Sequence, residues 1–497
     1  MSNIPERIFA KDNLLWSTDV DVQKTIDNRL GWLDAIDFCE THLNDMNAFV
    51  EQIISEDFRH VILLGMGGSA LAPEVFSRVF PKQKKGVDLR VLDTTCAEQI
   101  LDFEQSVNLS KTLFIVSSKS GTTTETWALF EYFYERLQQV KGIDVGQSFV
   151  VITDQGSDLQ VMSKQRNLRH CFINPSDIGG RFSALSYFGL LPAALLGLSL
   201  EILLSRAKKA YEQCRKGDGA GIKLGEWLVA GYHSKSLDKL QLHVDDELEP
   251  LVWWIEQLVA ESLGKKGFGV LPFLNKEGVE KLFIQNKNLT LGVGSNTADF
   301  SDERHAYWNL DDFYDVAAHF FHWEFATAIA GARLEINPFD EPNVTEAKVK
   351  TKGILKQFSE TELPLPTQKP LGDLLSKVEM DSYIAVLAYY PINVENYEAL
   401  HQFRLRLEKD FNVPVTVNFG PRYLHSTGQL HKGGKQQGLF IVLTQSGETE
   451  LAIPSQHYTF NTLCRAQALG DFQILTGKGF PAHFYALPDL SKVSALL

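Results

Sequence analysis

The sequence predicts an α/β protein: two lobes, each a parallel sheet flanked by helices, followed by a smaller C-terminal α/β subdomain. Three observations lead there. Its 497 residues exceed the roughly 250–300 at which one hydrophobic core stops growing. Short continuous apolar runs, closed by glycine or small polar residues, alternate with helical patterns, as buried parallel strands do. Composition is ordinary for a folded chain, 44% hydrophobic and 22% charged, which excludes disorder as the main state.

Residues 1–45 read as an N-terminal helical extension, with Trp16, Leu30, Trp32 and Leu33 available for packing. A first lobe is expected over 46–215. There His60–Leu64, Val87–Asp93, Leu113–Ser117, Phe149–Thr153 and Cys171–Asn174 read as strands, and Ala70–Phe80, Thr123–Gln139 and Asp158–Gln165 as helices. Residues 182–215 are mainly helical in pattern and lead through the polar stretch Cys214–Gly221 into a second lobe over 216–362. Its strands are expected at Leu240–His243, Leu282–Gln285 and Leu289–Val293, its helices at Leu251–Leu263 and Phe313–Gly331. After the Pro-rich stretch Glu362–Pro370, the C-terminal subdomain over 363–497 has strand signals at Ile384–Ala388, Val415–Val417 and Phe440–Leu443. Helical patterns follow near Glu395–Phe411 and Leu463–Ile474.

The formal charge of −14 repels nucleic acid and anionic lipid over most of the surface, so neither is an expected partner. An anionic ligand would need a locally positive pocket of backbone N–H groups and a few cations. Cys39, Cys96, Cys171, Cys214 and Cys464 are odd in number and widely spaced, which fits free thiols in a reducing compartment. No basic start followed by a long apolar run opens the chain, and the longest apolar stretch, Phe182–Gly197, is broken by Ser183, Ser186 and Pro192. No signal peptide, no membrane span and a cytoplasmic location are expected. The triplets at Asn108, Asn288 and Asn343 then carry no glycosylation meaning.

Chemistry is concentrated in three segments. Gly65-Met66-Gly67-Gly68-Ser69 lies between a buried strand and a helix, where glycines let N–H groups approach an anion. With Ala70 and Asp93 it also satisfies a dinucleotide-binding pattern, and a plain tight turn remains open too. The second segment, Ser118-Lys119-Ser120-Gly121-Thr122-Thr123-Thr124, opens a helix, and six of its seven residues carry side-chain donors. A cap needs one hydroxyl, so the surplus reads as a phosphate cup; Lys119 there would oppose the helix dipole without an anion. The third, Leu251–Lys265, is apolar on nearly every face. Gln257 and Glu261 share one face of it, while Glu256 points elsewhere. A buried Glu261 has its pKa raised towards the range of a general base; a buried salt bridge to a distant Arg is the other reading.

These three segments, in this order, resemble glucose-6-phosphate isomerases. The likeness extends to Gly180-Arg181, to Gln257-x-x-x-Glu261-Ser262-x-Gly264-Lys265, and to Ile336-Asn337-Pro338-Phe339-Asp340-Glu341-Pro342-Asn343-Val344-x-x-x-Lys348. It is strongest to the isomerase half of the bifunctional transaldolase/glucose-6-phosphate isomerases, through Ala10–Trp16 and Gly420–Gly434. The resemblance implies two sugar-isomerase (SIS) lobes and interconversion of an aldose and a ketose phosphate through an enediolate. It implies Glu261 as base, Gln257 orienting it or the substrate, and Arg181 facing the developing oxyanion. The substrate would lie on Gly68, Ser69, Ser118, Lys119, Ser120, Thr122, Thr123 and Gly180. Gapless counting places ring-opening groups at His322, nine before Gly331, and at Lys348. In the family that His comes from a partner subunit, which implies a homodimer. The transaldolase half is not in this sequence, so no aldol chemistry and no Schiff-base lysine are expected, and a separate transaldolase becomes a partner to consider.

Two departures stand out. Phe321 replaces the family's Gln before the His, in Phe320-Phe321-His322-Trp323. Glu341 replaces the Gln after Phe-Asp; beside the phosphate it would repel the ligand, so it turns away, is protonated, or accepts a sugar hydroxyl. Arg422, His425, His431 and Lys432 crowd Gly420–Gly434. Nothing in that spacing assigns a chemical step, and a rigid interdomain seam is the expectation over an anion-binding lid. His319 and His322 lack further metal ligands in sequence, and no metal or cofactor is expected. Against the isomerase stand an isomerase of another anionic hexose, a sugar-phosphate-binding regulator without catalysis, and a dinucleotide-dependent oxidoreductase built on Gly65–Ala70.

Overall fold

Thirteen strands among the described residues form three parallel sheets. The computed structural model describes residues 4–235, 237–274, 288–294, 305–357, 363–447 and 449–497. The first sheet holds β1 (His60–Gly65), β2 (Asp88–Leu92), β3 (Thr112–Ser117), β4 (Phe149–Asp154) and β5 (His170–Asn174), in the order β2-β1-β3-β4-β5. The second holds β6 (Lys239–Val244), β7 (Leu271–Leu274), β8 (Asn288–Gly294) and β9 (His305–Asn309), in the order β7-β6-β8-β9. The third holds β10 (Tyr383–Tyr389), β11 (Val415–Phe419), β12 (Gly438–Gln445) and β13 (Ala482–Leu487), in the order β11-β10-β12-β13. These are parallel sheets flanked by helices, and the α/β fold class is the one expected.

Every residue of β3 and of β10 is buried, which is why their apolar runs do not alternate. The expected strand Leu282–Gln285 lies outside the described residues. Three strands were not foreseen: β7, β9 and β13. Each ends its sheet, and an edge strand needs only one neighbour and less apolar sequence. Pro272 sits inside β7, a position that a missing N–H permits only at an edge.

Each sheet runs in the order second, first, third, fourth strand, so consecutive connections leave in opposite directions at the gap between first and third. Such switch points open a crevice at the carboxyl ends of the strands. In the first sheet that gap is fixed by the register Gly65↔Ser117. The glycine turn and the hydroxyl-rich turn therefore emerge side by side.

One apolar core runs from the N-terminal segment through both lobes, joining Trp16, Trp32, Phe76, Trp254 and Phe320. A second packs the other face of the first sheet against Phe460 and Leu463 of the C-terminal helix Phe460–Gly477. Ile354 and Leu355 of the helix Pro342–Gln357 join that second core, so this helix leaves its own sheet and wedges between first lobe and C-terminal subdomain. None of the described helices is long and apolar enough to cross a membrane.

The glycine-rich segment Gly420–Gly434 lies on that junction. Its Lys432 pairs with Asp471 at 2.6 Å, both side chains 1% exposed, and Tyr423 donates its hydroxyl hydrogen to the same carboxylate at 2.6 Å. Removing one member of a buried pair strands the other charge. Asp471→Ala is expected to cost about 3–5 kcal/mol, read as a lowered urea midpoint, and the double variant Asp471→Leu/Lys432→Met to recover most of it.

Candidate active site

The turn after β1 closes as a 3-10 turn, Gly67–Ser69, with Gly67 at φ +54°. A Cβ on Gly68 would collide with the Gly180 carbonyl, and one on Gly67 would lie 2.8 Å from the Gln257 amide. Glycine is therefore required by close approach: this turn touches both Gly180 and the helix Glu249–Leu263. Ser117 Oγ donates to the Ser69 carbonyl at 2.8 Å, tying the turn to β3.

The second turn precedes the helix Thr124–Lys141. Ser118 and Thr123 hydroxyls lie 2.9 Å apart, and those of Ser120 and Thr122 3.0 Å apart. Gly121 takes φ +67° and its carbonyl accepts from the Trp127 indole at 2.7 Å. Thr123 occupies the N-cap yet makes no side-chain cap bond, so the first N–H groups of that helix face the hydroxyls uncapped, an arrangement suited to an anion. Lys119 is placed differently from the expectation. It pairs with Asp154 at the end of the neighbouring strand β4 and donates to the Ser176 carbonyl at 2.8 Å. Asp154 supplies the counter-charge that the sequence left to a ligand.

Between the lobes lies the buried charge cluster. Arg181, 4% exposed, donates from Nε to Ser262 Oγ at 2.7 Å and from Nη2 to the Pro338 and Asp340 carbonyls at 2.8 and 2.7 Å. Its Nη1 reaches Glu341 at 3.0 Å and Glu261 at 3.7 Å. Glu341 thus neither turns away nor needs a proton: burial pushes its carboxyl up, but Arg181 outweighs that and holds it below the ordinary value. Glu261, 6% exposed, goes the other way. Burial raises it and Glu341 raises it further, against the pull of Arg181. Gln257 donates to Glu261 at 3.1 Å and to the His425 carbonyl at 2.7 Å. Lys265 donates to the Asn337 carbonyl at 2.7 Å and pairs with Asp340 at 2.7 Å, fixing the turn that carries Glu341.

Gly68, Ser69, Gly180, Arg181, Gln257, Glu261 and Glu341 are thereby brought together, with the Ser118–Thr123 turn beside them at the same sheet gap. Lys348 is exposed on the helix Pro342–Gln357 and lines a small cavity of about 100 Å³ with Thr124, Glu125 and His425. His322 is not brought in. It is 5% exposed inside the helix Val316–Arg333, accepts the Gly221 N–H at Nδ1 over 3.1 Å, and packs on Trp308. Burial drops its pKa to about 3. Its surroundings are those of a neutral core histidine.

Sequence reasoning missed His425 and Glu125. His425 Nε2 lies 3.0 Å from Glu125 Oε1, which also accepts from Gln467 at 2.6 Å. The signals were a second charge in the first turn of the cup helix and a His inside the glycine-rich motif. That motif is the expected seam, and it also reaches the site: Gln429 donates to the Gly264 carbonyl at 3.0 Å. Asp93 is taken up by Arg422 at 3.2 Å, which places a C-terminal guanidinium where the oxidoreductase reading needed a ribose acceptor. A separate cavity of about 650 Å³ lies behind the site, lined by Val91 of β2, Phe273 of β7, Val417 of β11 and the Trp253 ring, with Arg78 and Arg422 on that ring. Among the described residues no cluster of metal-ligand type occurs.

Sheets, switch-point turns and seam define a sugar-isomerase-domain protein. Residues 33–268 match the phosphoglucose isomerase family model. Over 238 residues the chain is 35% identical to a glucose-6-phosphate isomerase of Thermus thermophilus, covering 48% of this chain and 56% of that one. It is 30% identical over 247 residues to that of Campylobacter jejuni, covering 48% and 57%. The chain thus spans little more than half the length of these curated relatives. Among solved structures, the hypothetical protein TT0462 from Thermus thermophilus superposes with a TM-score of 0.61 at 26% identity, over 71% of this chain and 94% of that one. A glucose-6-phosphate isomerase from Chlamydia trachomatis shares the fold, with a TM-score of 0.56 at 17% identity over 71% and 78%. Over residues 33–268, a little under half of its length, the chain is thus similar to phosphoglucose isomerases.

Glu256 faces the 650 Å³ cavity rather than the site, and burial, with Glu249 nearby, lifts its pKa to about 8. From about pH 4.5 to 8 the unfolded carboxyl has lost its proton while the folded one keeps it, so this group makes stability fall with rising pH across that window. Glu256→Gln is expected to raise the thermal midpoint at pH 8 and to leave it nearly unchanged at pH 4.5.

Proposed function

We propose that the chain is an aldose–ketose isomerase of hexose 6-phosphates, interconverting glucose 6-phosphate and fructose 6-phosphate. The observation that carries this reading is Glu261, a buried carboxyl held by Gln257 and 3.7 Å from Arg181. The family match over 33–268 and the printed names of the relatives support the same activity. The phosphate sits at the uncapped start of Thr124–Lys141, on Ser118, Ser120, Thr122 and Thr123 and on the N–H groups of Gly68 and Ser69. That anchors the reacting carbons without entering the bond changes. Glu261 takes the proton from carbon 2 of the aldose and returns it to carbon 1, and the enediolate oxygen faces Arg181, a fixed charge in a dry seam.

Lys119 contributes less charge here than its place in the motif suggests, because Asp154 already holds it. A cytoplasmic setting and a separate transaldolase partner belong to the same reading. The homodimer rested on His322 reaching a neighbouring subunit, and a buried His322 supplies no such reason.

Turnover of fructose 6-phosphate in deuterated water, with deuterium at carbon 2 of the product, is the direct test; binding without turnover points to a regulator. Glu261→Gln is expected to lower kcat by about 10²–10⁴-fold while fructose 6-phosphate still binds.

Glu341→Gln removes a negative charge that raises Glu261. The acid limb of the kcat/KM profile is therefore expected to move to lower pH. Unchanged profiles across glucose, mannose and other hexose 6-phosphates would show that Glu341 has no part in the site.

A further inference from the structure

The helix Glu249–Leu263 meets different surroundings on its two faces. Gln257 and Glu261 look into the seam between the lobes, whereas Trp253 and Glu256 line the cavity of about 650 Å³ behind it. That volume falls in the range of small-molecule sites. Val394 and Tyr397, both exposed, line it as well, so it is reached from solvent. Phe103 of the first lobe, Leu274 of the second and Val417 of the C-terminal subdomain supply apolar wall.

The charges on that wall do not cancel. Glu74 pairs with Arg422 and, at 3.5 Å, with Arg78, while Asp93 lies 3.2 Å from the same Arg422. Arg404 is held by Glu408 at 3.0 Å. Each guanidinium lining the cavity thus already has a carboxylate, and an anion entering would have to compete for it. Glu249 accepts the Tyr397 hydroxyl hydrogen at 3.2 Å. Glu256 differs. Among the described residues no cation pairs with it, and burial together with Glu249 lifts its pKa to about 8. Thr416, 7% exposed, and Asn418 share one face of β11 and line the same cavity. Thr416 Oγ1 and Asn418 Oδ1 have no hydrogen-bond partner among the described residues, a costly state for buried polar atoms.

We propose that this cavity is a second binding site, for a small organic ammonium carrying an apolar body, with Glu256 as its counter-ion. The site stands apart from the isomerase reading, since Glu256 and Trp253 are turned away from the seam. An ammonium brings the sign of charge that the wall lacks, and three N–H donors. Glu256 accepts from it, and Thr416 and Asn418 are further acceptors lining the same space. A charge-assisted bond gains strength where water is thin. The apolar body is covered by Phe103, Leu274 and Val417. Binding draws Glu256 into its ionised form, and the proton it held passes to solvent. An anion meets an acid and occupied arginines instead, and a purely apolar ligand leaves Glu256 without a counter-ion.

The test uses the full chain and two probes with the same body, 2-phenylethylammonium and 2-phenylethanol, followed by calorimetry at pH 7. The cation is expected to bind once per chain with a Kd of about 0.1–1 mM, and the alcohol about 10–100-fold more weakly. Glu256→Gln is expected to lower affinity for the cation by the same factor and to leave that for the alcohol within about threefold. Glu261→Gln, on the other face of the helix, is expected to leave the cation within about threefold as well. Absence of cation binding overturns the proposal, and so does equal affinity for cation and alcohol, a comparison made on the unmodified chain and independent of how any variant folds. Cation affinity unchanged in Glu256→Gln overturns it too. Affinity lost in Glu261→Gln but kept in Glu256→Gln assigns the cation to the seam and likewise overturns it.

Discussion

Everything at the seam depends on one buried guanidinium. Arg181 comes from the first lobe, and its partners Ser262, Glu261, Pro338, Asp340 and Glu341 all come from the second. Taking such a charge out of water costs several kcal/mol before any partner is counted. The cost is offset only because the second lobe surrounds the fork with acceptors. The two lobes therefore cannot drift apart without stranding a charge, and the carboxyl raised by burial stays where its opposite charge is fixed. Rigidity and the raised carboxyl at this point have one origin.

Local chemistry was legible in the sequence and long-range chemistry was not. The glycine turn, the hydroxyl turn and the Gln257/Glu261 face could be read because each lies within a few residues of a strand end or along one helix. The central strands β1, β3 and β10 could be read because burial on both faces leaves continuous apolar runs. Strands β7, β9 and β13 could not, since an edge carries polar residues and even Pro272. Asp154 beside Lys119, Glu341 on Arg181 and Glu125 on His425 are separated by 35, 160 and 300 positions. No spacing rule connects them. His322 failed for the opposite reason: counting aligned its number, but its neighbours Phe320, Phe321 and Trp323 already described a core position.

The C-terminal subdomain shares the strand order of the two lobes, yet its role differs. The glycine turn and the hydroxyl turn both leave the first sheet, not this one. What it brings is the segment around Arg422–Gly434, clamped by Lys432 on Asp471 and by Arg422 on Glu74 and Asp93. A seam and a site wall are the same piece of backbone here, because the carbonyl that completes the Gln257 amide belongs to a turn held by buried ion pairs.

The three edge strands β2, β7 and β11 border one cavity. An open parallel edge is a row of unused donors and acceptors, on which foreign chains add and polymers grow. By turning three such rails towards a shared interior, this architecture leaves β5, β9 and β13 as the other sheet margins among the described residues. The vault between the three bodies thereby acts as a guard against strand addition, whatever else it holds.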